Sequence, residues 1–166
     1  MKILPAVRTL LPSVAVGVIV FVGSVQAHAD APAGRYTVSG STANATVTDN
    51  KTKLVWQQDA PLTNYTWEEA KSHCATVGEV LGGTGWRLPT IKELATLLDQ
   101  NRRNFSLYFD TLVFPNDDPS GFYWSATAFS GAPKDGVPPS AWTVAFHYGF
   151  ISTNDRAMKN YVRCVR

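Results

Sequence analysis

The side chains with chemistry to offer are few. Trp124, Trp142 and Tyr148 stand in strand-like segments beside long loops. Aromatic faces there can stack on the C–H groups of a pyranose, with planar polar groups taking its hydroxyls. Trp56, Trp67 and Trp86 belong to patterned sequence motifs, where core packing is the expected role. Asn116, Asp117 and Asp118 line up oxygen-bearing side chains between two prolines. Calcium takes roughly six to eight such oxygens, but an Asp-rich tip is more simply a solvated turn. No cofactor is expected, with calcium the one ion left open. His73 and His147 have no hydrolase-like setting, and no G-x-S-x-G elbow is present. Gly82-Gly83-Thr84-Gly85 lacks the strand–helix context of a phosphate loop and reads as a turn. No catalytic residue and no metal ligand set is expected.

Composition narrows the classes further. Of 166 residues 45% are hydrophobic and 17% charged, which argues for one folded domain. The net charge of +2 is carried by Lys2 and Arg8, so the remainder is neutral. A neutral body without a basic cluster excludes a nucleic-acid footprint. Lys2 and Arg8, the apolar run from Leu10 to Gly23 and Ala27-His28-Ala29 have the form of a secretory leader cut after Ala29. The run is short for a membrane span. The expected organisation is a signal peptide over 1–29, a linker over 30–44 and one domain over 45–166. The protein is expected to be periplasmic or secreted, with no membrane span after cleavage.

Cys74 and Cys164 are the two cysteines. Outside the cytoplasm they allow one intramolecular bridge, and the chain-entropy model gives so long a loop ~4–5 kcal/mol at most. A reactive thiol pair is the rival reading, with His73 and Arg163 as cationic neighbours in sequence.

The elements that must position these groups follow from the pattern. Arg35–Val38 is one short strand; Ala45–Thr48 and Thr52–Trp56 form a hairpin across Asp49-Asn50-Lys51. Thr66-Trp67-Glu68-Glu69 is a capping box, and Trp67, Ala70, Cys74 and Val77 form the buried stripe of a helix ending near Gly78. Thr90-Ile91-Lys92-Glu93 opens a second helix, with Leu94, Leu97 and Leu98 apolar, stopping near Gln100-Asn101. Asn101–Gly121 and Ser130–Ser140 are loops, and Phe122–Ala128 is a strand between them. Ala141–Gly149 alternates, with Trp142, Val144, Phe146 and Tyr148 on one face; Phe150–Ser152 pairs back across Gly149. Ser152–Lys159 is expected to be a loop and Tyr161–Val165 a closing strand. Strands, then helices, then strands predict an α+β fold with antiparallel sheets.

Several segments resemble a known family. They are Val47-Thr48-Asp49-Asn50 with Leu54-Val55-Trp56, Thr66-Trp67-Glu68-Glu69-Ala70 with Cys74, and Gly85-Trp86-Arg87-Leu88-Pro89-Thr90-Ile91-Lys92-Glu93-Leu94. Tyr123-Trp124-Ser125-Ala126-Thr127, Ala141–Phe146 with Gly149, and Val162-Arg163-Cys164-Val165-Arg166 complete the set. In this order they resemble the C-terminal domain of a collagen-like bacterial adhesin, the Lcl C-terminal family; the collagen-like repeat itself is absent. The resemblance implies a C-type-lectin-like fold, two helices packed on small antiparallel sheets with long irregular loops. It also implies a bridge from the first helix to the last strand, as Cys74 and Cys164 would make. Calcium-dependent lectins carry Asn and Asp after the strand tryptophan, whereas Ser125 and Ala126 follow Trp124 here. The Arg87-Leu88-Pro89-Thr90 block is also similar to formylglycine-generating, sulfatase-modifying enzymes, whose activity needs reactive cysteines. The expected role is an exported, adhesin-like, non-catalytic module binding a glycan or an envelope or surface component through its loops. The alternative is a modifying oxidase of the formylglycine-generating kind.

Overall fold

A computed structural model describes residues 31–41, 44–99, 108–115, 120–131 and 139–166. The expected leader, the triplet Asn116-Asp117-Asp118, and parts of the Asn101–Gly121 and Ser130–Ser140 segments expected to be loops lie outside the described residues. The fold is α+β. Strands β1 (Tyr36–Ser39), β2 (Thr46–Asp49) and β3 (Val55–Gln57) form one antiparallel sheet in sequence order. Helix α1 (Trp67–Thr76), the single turn α2 (Gly78–Leu81) and α3 (Ile91–Ala95) follow. Strands β4 (Phe122–Ala128), β5 (Ser140–Ala145) and β6 (Phe150–Asp155) form the second antiparallel sheet. The stretch expected to be a linker carries β1, which pairs with β2 from Tyr36↔Asp49 to Ser39↔Thr46.

Local chemistry explains the starts. Asp49 is fully buried, and its carboxylate accepts from the amides of Lys51 and Thr52 and from Arg35 Nη2 at 3.2 Å. That closes the β2–β3 turn and ties β1 to it. Both capping boxes are complete: Thr66 N–H donates to Glu69 at 2.8 Å, and Thr90 N–H to Glu93 at 2.8 Å.

The ends differ from expectation. The helix begun at Trp67 ends at its Val77 cap, next to Gly78 as expected, but a further turn, α2, follows at once. Helix α3 stops at Ala95 rather than near Gln100, because Arg35 Nη2 takes the Thr96 carbonyl at 2.6 Å. Strand β5 stops at Ala145, and Phe146–Gly149 is a turn. Tyr161–Val165 joins neither named sheet but bridges both. Val165 pairs with Trp56 and Arg87, Tyr161 with Tyr123. Ser152–Asp155, expected to be loop, is the body of β6.

Two apolar clusters sit on either side of this closing segment. One gathers Val47, Trp56, Leu94, Phe109, Tyr123 and Phe146; the other gathers Trp67, Cys74, Trp86, Leu88, Trp124 and Cys164. Cys74 and Cys164 form a disulfide with Cα atoms 5.3 Å apart, joining α1 to the C-terminal segment. Between them, the buried Arg163 donates from Nη1 to the carbonyls of Gln57 and Gln58 at 2.5 and 2.6 Å. Its guanidinium lies 4.3 Å from the Phe114 ring centroid. A guanidinium keeps its charge when buried, and here it meets backbone carbonyls and an aromatic face.

Candidate functional site

The three aromatic residues singled out by sequence meet different fates. Trp124 is fully buried and its indole N–H donates to the Tyr65 carbonyl at 2.8 Å, so it offers a ligand no face. Trp142 is half-buried, with Phe129 set edge-on against it at 5.4 Å. Ser125 binds both sides of this region: its hydroxyl donates to the Trp142 carbonyl, and its own carbonyl accepts the Trp67 indole N–H. Tyr148 alone of the three is open, at 58% exposure.

Tyr148 is exposed because the chain turns there. Gly149 sits at φ +70° and its N–H donates to the Ala145 carbonyl, closing a turn that returns Phe150 opposite Ala145. A Cβ on Gly149 would meet the Tyr108 ring at 2.7 Å, and the Tyr108 N–H fixes the Phe146 carbonyl. The turn is therefore held from a distant part of the chain. On it the rings of Tyr148 and Phe150 stack at 5.7 Å and 28°. Phe122 meets Phe150 edge-on at 6.2 Å, and His147 meets Tyr148 edge-on at 4.7 Å. Phe150 and Ile151 are each 44% exposed. Sequence reasoning found Tyr148 and missed its partners Phe150, Ile151 and Phe122. The available signal was the aromatic pair flanking Gly149.

A second concavity runs beside α1, about 670 Å³ in volume. Tyr65 and His73 stack there at 4.8 Å and 26°, and Ser72, Thr76, Glu69 and Lys159 border it. Burial pulls the His73 pKa below its ordinary value, which favours the neutral ring. Among the described residues, no group of three or more His, Cys, Asp or Glu side chains is placed to hold a metal ion. No described helix is long and apolar enough to cross a membrane.

These features define a class: a disulfide-closed α+β domain with two small antiparallel sheets and an exposed aromatic turn. Residues 45–166 match the model of the Lcl C-terminal domain, and the chain belongs to that family. A comparison with curated proteins finds no match. Strand β1 lies before the matched region.

Proposed function

We propose that the protein is an exported, non-catalytic binding module that recognises a glycan or another cell-surface or envelope component. The observation that carries this reading is the near-parallel, exposed Tyr148–Phe150 pair, held rigid by the β5–β6 turn. Planar rings on a fixed backbone stack on sugar C–H faces with little ordering cost, and their amphipathic character suits protein surfaces as well. The leader-like start and the extracytoplasmic chemistry of a disulfide support export. Both cysteines lie in the bridge. That favours binding over an oxidase of the formylglycine-generating kind, which needs a reactive thiol. A C-type-lectin-like ancestry would agree with display of a ligand surface on irregular connections, although such folds host diverse activities.

The test is a glycan array together with a pull-down from envelope extract, comparing the native chain with Tyr148→Ala/Phe150→Ala. The expected result is specific capture by the native protein and at least about tenfold loss in the double variant. No ligand in either format, or equal capture by the variant, contradicts the reading.

A further inference from the structure

The groove beside α1 shares no residue with the Tyr148–Phe150 surface. Three chain segments build it. Residues Asn64 and Tyr65 enter from one side, the polar face of α1 supplies Ser72, His73 and Thr76, and Lys159 closes it from the turn after β6. Tyr65 is fixed through its backbone, which exchanges hydrogen bonds with Asn160 at 2.8 and 2.9 Å. His73 is fixed by the neighbouring Cys74 bridge and by the stack on Tyr65. The two rings therefore form a preset aromatic wall.

The polar groups are arranged for hydroxyls rather than for charge. The groove is bordered by the carboxylates of Glu68 and Glu69 and the ammonium of Lys159, and Glu68 is paired with Lys71 at 2.6 Å. The Ser72 hydroxyl donates to the Glu68 carbonyl and the Thr76 hydroxyl to the helix carbonyls behind it. Their oxygen lone pairs are left as acceptors. A sulfated or phosphorylated ligand would meet two carboxylates, Glu68 and Glu69, against the single lysine of the lining, Lys159. An open, shallow groove of about 670 Å³ with aromatic rings and a few convergent polar groups can take one unit of a longer ligand.

We propose that this groove binds an uncharged pyranose unit of an oligosaccharide, separately from the Tyr148–Phe150 surface. The proposal rests on the glycan arm of the reading above and on none of the residues of its surface. The ring C–H face lies against the Tyr65–His73 wall, and the hydroxyls meet Ser72, Thr76 and the carboxylates.

The experiment is a titration of the isotope-labelled, exported protein with chitotriose and with cellotriose, followed by amide chemical shifts, with a sulfated disaccharide as the charged comparison. Saturable shifts at Tyr65, Ser72 and His73 are expected with a neutral trimer and none with the sulfated probe. Ser72→Trp fills the groove from an exposed helix position, and Tyr65→Leu removes the stack. Each should weaken binding about tenfold, with folding checked by thermal melts. Tyr148→Ala should leave the groove shifts unchanged. Shifts confined to Phe146–Ile151 would overturn this proposal while sparing the platform. Groove shifts with no change at Phe146–Ile151 would support this proposal and leave the platform to its own capture test. Silence of the groove toward both neutral trimers, saturable groove shifts with the sulfated probe, or a folded Ser72→Trp chain that keeps its affinity, would also overturn the proposal.

Discussion

Glu93 shows how much one residue of this fold does. Its carboxylate receives both guanidinium nitrogens of Arg87 at 2.8 and 2.7 Å and the Thr90 N–H at 2.8 Å. The Arg87 hydrogen bonds come first among the causes that hold its pKa down at about 2, against an ordinary 4.5. The linkage follows directly. Above about 4.5 the carboxylate is charged in folded and unfolded chains alike, and the pairing stabilises the fold in full. As pH falls from there through about 2, the unfolded chain takes up its proton first and that stability is lost. Because the pair is partly solvated, the contribution is about 1 kcal/mol after screening. Glu93→Gln should therefore lower the urea midpoint at pH 7 by an equivalent amount and flatten the acid limb of stability between pH 4.5 and 2. An unchanged acid limb would remove Glu93 from the account. The box at Thr90-Glu93 was legible because capping is local. The Arg87 arm was not, since nothing in the spacing aims that side chain along the helix start.

At the scale of elements, starts were legible and ends were not. A helix start is set by residues within one turn of it, whereas α3 is stopped by a donor from Arg35 and β5 by the Tyr108 amide. Both come from far along the chain. The alternation from Trp142 to Tyr148 is real as a pattern, yet Gly149 at φ +70° turns it into a hairpin whose last aromatic points to solvent. Gly149→Ala combines left-handed backbone strain with a clash on Tyr108. It should cost about 1–3 kcal/mol, read as a lower denaturation midpoint, and should weaken capture together with it. A neutral effect would mean that the turn is not held as described. The disulfide spans a sequence separation of 90. Replacing both cysteines by alanine should cost up to ~4–5 kcal/mol in the chain-entropy picture. Thermal melting with and without reductant measures this, and an unchanged midpoint would deny the bridge its role as the clamp on α1.

For the whole molecule, the closing segment is the seam. Tyr161 to Arg166 pairs with β4, β3 and Arg87 in turn, carries Cys164, and buries Arg163 between the clusters. The α+β class, the antiparallel sheets and the cysteine partnership were readable from order and compartment. The site was only partly readable. Tyr148 emerged from its pattern, but exposure depends on which neighbours cover a ring, and Trp124 is covered by elements distant in sequence. Residues 30–166 carry no net charge, so the proposed recognition would rest on aromatic contact, and capture should change little with salt. The most direct measurement is hydrogen–deuterium exchange of the disulfide-bonded protein alone and with its captured ligand. Protection concentrated on Phe146–Ile151 is the predicted result; protection elsewhere with that turn unchanged would contradict the central claim.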